Sequence, residues 1–130
     1  MTGILELSAK IKAIILDLGG VYFADGTTKA TKKFEEMFCV SKDELNKIFG
    51  GHCYGRDYRL GKINEGEFWG VVIERLNLDS KMIRTLKEIW HSSHTRNKGM
   101  KILVRKLRKH YMVAVLCDNI KERVEYLNKK

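Results

Sequence analysis

The stretch Lys12-Ala13-Ile14-Ile15-Leu16-Asp17-Leu18-Gly19-Gly20-Val21 constrains this chain more than any other. Four apolar residues, two of them β-branched isoleucines, run into an aspartate, and a glycine pair begins two positions later. A short continuous apolar run of this kind suits a strand buried on both faces, as in a parallel sheet. A carboxylate is costly inside such a core. It is well placed in the crevice beyond the carboxyl ends of parallel strands, where open α/β sheets bind ligands. Gly19 and Gly20 allow the backbone to turn sharply there. The simpler reading of the same string is a buried strand whose aspartate caps a helix.

A second apolar run, Met112-Val113-Ala114-Val115-Leu116, ends at Cys117-Asp118-Asn119 and repeats the layout of the first. Asn119-x-x-Glu122 is a start signal for a final helix on which Val124 and Leu127 pack. Two such strands joined through helices predict neighbours in a parallel sheet with a right-handed crossover, which sets Asp17 beside residues 117–119. Between them the pattern is helical. Asp25-Gly26 signals a turn, and Phe34, Met37 and Phe38 form an apolar stripe. Ser41-x-x-Glu44 opens a second helix, which Gly50-Gly51 ends. Residues 50–62 read as a loop that gathers His52, Tyr54, Arg56, Tyr58 and Arg59. Asn64-x-x-Glu67 starts a helix with Phe68, Trp69, Val72, Ile73 and Leu76 facing inward. Asp79 or Ser80 caps another, with Ile83, Leu86, Ile89 and Trp90 on its apolar side. Residues 98–109 read as a helix burying Met100, Ile102, Leu103 and Leu107.

The length, 130 residues, and a hydrophobic share of 44% suit an ordinary globular chain of one domain. Cys39, Cys53 and Cys117 have no metal-binding spacing, and an odd count without a signal peptide points to reduced thiols in the cytoplasm. The start, which carries Glu6, and the rest of the chain contain no run long enough for a membrane span. The net charge is +9, and Arg96, Lys98, Lys101, Arg105, Lys106, Arg108 and Lys109 supply much of it without an intervening acid. A nucleic-acid partner is the disfavoured reading, because few aromatics interleave with these charges; a solvated helix face, or an electropositive rim for an anionic substrate, is preferred.

Residues 14–21, IILDLGGV, resemble the first signature of the haloacid dehalogenase-like (HAD) hydrolase superfamily. The 117–119 turn resembles its second, a strand ending in a hydroxyl residue commonly followed by Asn or Asp-Asn. The resemblance implies an α/β fold: a HAD-like Rossmannoid core with parallel strands, incomplete over this length, and an inserted α-helical cap. The expected core is residues 1–27 and 96–130, and the expected cap is residues 28–95. It implies Asp17 as covalent nucleophile, with Mg²⁺ held by Asp17 and the backbone carbonyl of Gly19. Leu18, Gly19, Gly20, Cys117, Asp118 and Asn119 would line the phosphate. Tyr54, Arg56 and Arg59 are candidate cap specificity residues, although an ordinary exposed basic loop is the favoured reading of them. The implied activity is Mg²⁺-dependent phosphatase action on a small phosphorylated metabolite. A 2-haloacid dehalogenase or a non-catalytic HAD-like binding or regulatory module are the alternatives.

Two positions depart from the family pattern. Gly19 stands where many HAD phosphatases carry a second aspartate for proton transfer, a step typically worth about 10² to 10⁴ in rate. Cys117 stands where the hydroxyl belongs, and a thiol is a weak donor. Asp25 is a poor substitute for the missing acid, and a metal shared by His91 and His94 is disfavoured. The family's later lysine and acidic pair are not found before Lys130. About 60 residues of core are marginal on their own, and two strands leave two open edges. The expectation is a part of a longer chain, or a chain that completes its sheet with a partner or by self-association through those edges. Either way it is weakly active or inactive alone.

Overall fold

A computed structural model describes residues 11–51 and 53–129. Two earlier observations, on Glu6 and His52, lie outside the described residues. The chain forms two compact units, residues 11–24 with Thr95–Cys117, and Asp25–His94 with residues 118–129.

The first unit holds strand β1, Ala13–Leu16, and strand β2, Met112–Val115. They pair in parallel as expected, from Ala13 opposite Met112 to Leu16 opposite Val115. Helix α6, Met100–Leu107 (α1–α5 belong to the second unit), precedes β2 and packs on it. The expected burial on both faces is not found. Ile14, Leu16 and Val113 are half-buried, whereas Ile15 is 65% and Met112 72% exposed. Parallel strands are sealed by helices on both faces, and among the described residues only two strands make up this sheet. The same shortage corrects the expected buried side of α6. Met100, Val104 and Leu107 are half-buried, while Ile102 and Leu103 are exposed.

The second unit is helical: α1 Gly26–Phe38, α2 Lys42–Phe49, α3 Cys53–Arg59, α4 Glu65–Leu76, a 3-10 turn Ser80–Met82, α5 Ile83–Ser92 and α7 Lys121–Asn128. Local signals set most of these starts. Asn64 and Glu67 form a full capping box, at 2.9 Å from the Glu67 amide to Asn64 Oδ1 and 2.8 Å from the Asn64 amide to Glu67 Oε2. Ser41 caps α2 through its side chain as read, whereas Asp79 caps the 3-10 turn and α5 itself starts at Met82 without a side-chain cap. An aromatic cluster of Phe34, Phe49, Tyr58, Phe68, Trp69 and Trp90 fills the core, with Leu45, Ile48, Val72 and Leu86 around it. Each such side chain contributes roughly 1.5–3 kcal/mol by leaving water.

Several expectations are corrected here. Residues 50–62 are not all loop, because α3 runs through them. Gly55 permits it: a β-carbon there would come within 2.7 Å of the Ile48 carbonyl oxygen. Tyr58 then stacks on Phe68 with centroids 4.5 Å apart. Met37 is 51% exposed, so of the expected α1 stripe only Phe34 and Phe38 pack inward, with Ala30 buried beside them. Asn119 does not cap α7. Its Oδ1 accepts from the next amide, that of Ile120, and Ile120 occupies the cap position. Val124 is 39% exposed rather than packed.

The two units divide at 24/25 and 94/95, with a third division after Cys117. The final helix therefore groups with the helical unit and not with the strands. Burial is the reason: Ile120 is in the aromatic core, the Arg123 guanidinium lies 4.3 Å from the Trp90 ring centroid, and Tyr58 donates to Glu122 at 2.9 Å. Burial holds the Arg123 guanidinium down at about 10, below its ordinary value. Burial first, and then the Glu122 carboxylate, push the Tyr58 hydroxyl well above its ordinary value.

Candidate functional site

The first unit positions Asp17. The last strand bond runs from the Leu116 amide to the Leu16 carbonyl at 3.0 Å, so Asp17 and Cys117 leave adjacent strands at the same carboxyl end. Asp17 is exposed and Cys117 half-buried. Asp17 is not sealed in a core, and its Oδ1 accepts from the Leu18 amide at 2.8 Å. That bond orients the carboxylate, and it occupies one of the backbone donors expected to face a phosphate.

The turn that follows is tightly built. Gly20 has φ +75°, a conformation side chains rarely adopt, which is the physical reason for glycine there. The Leu18 carbonyl accepts from Phe23 at 2.9 Å and from Val21 at 3.3 Å. The segment 95–97 clamps the turn from a distance in sequence: Ala24 donates to the Thr95 carbonyl at 2.7 Å, and Asn97 donates from its backbone to Tyr22 at 2.8 Å. The Asn97 amide side chain donates to the Val21 carbonyl at 2.6 Å, and the Arg96 guanidinium lies 5.9 Å from the Tyr22 ring centroid. Asn97 is a positioning residue that sequence reasoning missed, since its partner lies 76 positions away. Replacing Asn97 with alanine is expected to cost about 1 kcal/mol. Amide exchange at residues 18–23 should quicken while exchange in the helical unit is unchanged; equal protection in both proteins would remove Asn97 from this role.

Asp118, Asn119 and the proposed specificity residues belong to the helical unit. Asp118 is exposed and its Oδ2 lies 4.0 Å from Arg59 Nε. Arg59 also donates to the Gly50 carbonyl at 2.8 Å. Tyr54 accepts from Arg75 at 3.0 Å, and Arg56 is exposed. Arg59 and Tyr54 are thus fastened within their own unit. Asp25 caps α1, accepting from the Thr28 amide and, at 2.7 Å, from its hydroxyl. Partial burial raises its carboxyl, but those bonds and His94 outweigh it, and it sits below the ordinary value. This fits a capping role. His94 Nδ1 faces the Trp90 carbonyl at 2.9 Å and so carries the ring proton; His91 stacks between Trp90 and Tyr126.

Mg²⁺ prefers hard oxygen donors, keeps several waters, and takes one or two carboxylates together with substrate phosphate. The exposed Asp17 carboxylate and the Gly19 carbonyl are donors of that class, and nothing lies within 4 Å of where a Gly19 β-carbon would sit. The donor chemistry fits the ion. Among the described residues no group of three His, Cys, Asp or Glu side chains gathers to hold one. Among them, too, no helix is long and apolar enough to cross a membrane.

No protein-family model matches this chain, and no curated protein does. Solved structures do. A HAD family enzyme from Bacteroides thetaiotaomicron, in complex with magnesium and inorganic phosphate, superposes with a TM-score of 0.67 at 21% identity. A second crystal structure of that enzyme gives 0.65 at 24%. Each match covers 92% of this chain and 59% of the enzyme's, so the chain spans rather less than two thirds of the length of the structures it resembles. Over nearly its whole length the chain thus shares the fold of these HAD family enzyme structures, and its own part of that fold is a parallel strand pair with a set of helices between the strands.

Proposed function

We propose that this chain is the nucleophile-bearing part of a HAD-like hydrolase that cleaves a phosphate monoester of a small metabolite through Asp17. The observation that carries the reading is an exposed carboxylate at the carboxyl end of a parallel strand, with its neighbour strand ending beside it. The core (residues 1–27 and 96–130) and cap (residues 28–95) ranges, and phosphate-lining roles for Leu18, Gly20, Cys117, Asp118 and Asn119, belong to the same proposal.

An Asp17 oxygen attacks phosphorus in line, the P–O bond to the alcohol breaks, and the alcohol takes a proton from water. Water then attacks the aspartyl-phosphate, releasing inorganic phosphate and restoring the carboxylate. The Leu18 amide holds the carboxylate in one orientation before attack, and the clamped turn keeps it at the strand tip. Mg²⁺, when held by Asp17 and the Gly19 carbonyl, supplies charge shielding between two anions. Gly19 has no side chain to move a proton, and Cys117 offers only a weak donor, so the chain alone is expected to be slow. A non-catalytic HAD-like module is the second reading, favoured by the fact that Asp17 is the only acid among the described residues of its unit.

Beryllium fluoride, an aspartyl-phosphate mimic, tests the nucleophile. Fluorine NMR with Mg²⁺ should show a bound signal in the native chain and none in Asp17→Asn. A signal that survives the substitution removes Asp17 from the mechanism. Hydrolysis of p-nitrophenyl phosphate should run far below the common enzyme range of about 1–10³ per second; turnover within that range would overturn the expectation of weak activity.

A further inference from the structure

Segment 118–129 is held on the helical unit differently from the helices around it. Helices α1, α2, α4 and α5 each bury at least two apolar or aromatic side chains in the core. The buried residue of α7 is Arg123, and Ile120, at its cap position, joins the core. Arg123 is 6% exposed, and its guanidinium lies 4.3 Å from the Trp90 ring centroid. Among the described residues neither its Nε nor its Nη2 has a hydrogen-bond partner. The ring face offsets part of the cost of taking that cation out of water. Two buried donors left unpaired still forfeit the bonds water would give them. The remaining hold is polar: Tyr58 donates to Glu122 at 2.9 Å, Tyr126 donates to Glu88 at 3.4 Å, and Asp118 Oδ2 stands 4.0 Å from Arg59 Nε. Helix α7 starts without a side-chain cap, and a helix of 8 residues is marginal in water by itself. Such an element belongs to the low-stability end of a domain.

We infer that segment 118–129 is a strap, docked while His91 and His94 are neutral and released as one piece when they take up protons. The geometry sets charge against charge. His91 stacks between Trp90, at 5.6 Å, and Tyr126 of α7, at 5.3 Å, and Trp90 also carries the Arg123 guanidinium. Arg123 opposes charge at both rings, and Lys87 and His94 oppose it at His91. Glu122 favours charge at His91, and Asp25 and the backbones of Trp90 and His91 favour it at His94. Around Arg123 itself, Tyr58 favours the cation and Arg59 opposes it. With burial added, both rings stay neutral down to about pH 4 while the strap is docked. The opposition is reciprocal: what Arg123 does to protons on the rings, those protons do to the burial of Arg123. Release puts Arg123 in water and takes Tyr126 off His91, so the rings return toward the ordinary 6.5. Docking is therefore complete above pH 6.5 and weakens as pH falls from 6.5 to 4, by up to about tenfold per pH unit for each ring. Asp118 and Asn119 lie on the strap and would leave with it. Their loss as phosphate-lining residues rests on the proposed function, whereas release itself does not.

Amide exchange of the 130-residue chain, read as protection over the intrinsic rate, separates release from unfolding. Between about pH 7.5 and 5, protection at residues 121–128 should fall roughly tenfold or more, and α2 and α4 should stay protected after α7 no longer is. Arg123→Met keeps the length of the side chain and removes its charge. Proton NMR of the rings should then show His91 and His94 titrating at higher pH than in the native chain, and α7 protection should depend less on pH. His91→Phe keeps a flat ring between Trp90 and Tyr126 and removes one proton. It should cut the loss of α7 protection over the same range by roughly tenfold, and it gives a separate reading if the methionine variant does not fold. Simultaneous loss of protection in α2, α4 and α7 overturns the strap. So does α7 protection that is unchanged across the range or unaltered in its pH dependence by His91→Phe, or ring titrations that Arg123→Met leaves in place.

Discussion

Replacing Phe49 with alanine should cost the helical unit roughly 3–5 kcal/mol, a large part of the 5–15 kcal/mol that holds a typical domain together. Phe49 is fully buried, and its ring lies 5.3–6.1 Å, centroid to centroid, from those of Phe34, Phe68, Trp69 and Trp90. Truncation removes the one ring that all four share. The cavity cannot close easily, because its walls are large planar groups set by three different helices besides its own. Urea unfolding followed by the fluorescence of Trp69 and Trp90, both inside the cluster, reads the loss directly. Met37→Ala, on an exposed position of α1, should shift the midpoint by about 0.5 kcal/mol or less. A loss below about 1 kcal/mol for Phe49→Ala would mean that the cluster is not the stabilising core of this unit.

Acid should destabilise the same unit well before its carboxylates titrate. Burial, then the Arg123 cation, hold both His91 and His94 at about 4, against the ordinary 6.5. The His94 ring also opposes charge at His91, whereas the backbone of His91 favours it at His94. Lys87 opposes it at His91; Glu122 favours it at His91, and Asp25 and the bond to the Trp90 carbonyl favour it at His94. The folded state therefore keeps both rings neutral where the unfolded chain already binds protons. Stability should be full above pH 6.5, fall as pH drops from 6.5 to 4, and lose nothing further from these groups below 4. Each unit of pKa is worth about 1.4 kcal/mol. His94 is only partly buried, so water screens much of that, and roughly 2–4 kcal/mol for the pair is expected. His91→Phe keeps a flat ring between Trp90 and Tyr126 and removes one titrating group. It should flatten the midpoint-versus-pH curve by about half. An unchanged slope would exclude His91 as a source of acid sensitivity.

Signals that act over a few residues were legible in the chain itself. The Asn64–Glu67 box, the Ser41 and Asp79 caps and the positive-φ Gly20 needed no distant partner. The pairing of residues 13–16 with 112–115 was legible because two matching apolar runs in an α/β pattern have few other ways to meet. Helix α3 was hidden because its glycine and charges read as loop, and it forms where Tyr58 can stack on Phe68. Apolar periodicity over residues 100–107 predicted a buried face. It identified the apolar positions without saying whether anything would cover them, and Ile102 and Leu103 stay exposed.

The sequence by itself determined which segments are strand or helix, where most helices begin, and that a carboxylate stands at the tip of the first strand. These depend on residue type and on spacings of two to four positions, which are fixed by the covalent chain. Only the tertiary structure decided that Asn97 clamps the turn behind Asp17, that the last helix joins the aromatic core through Ile120 and Arg123, and that Ile15 and Met112 are exposed. Each of these depends on which surfaces meet across long sequence separations. That choice is made by burial summed over many side chains, and no local spacing encodes it.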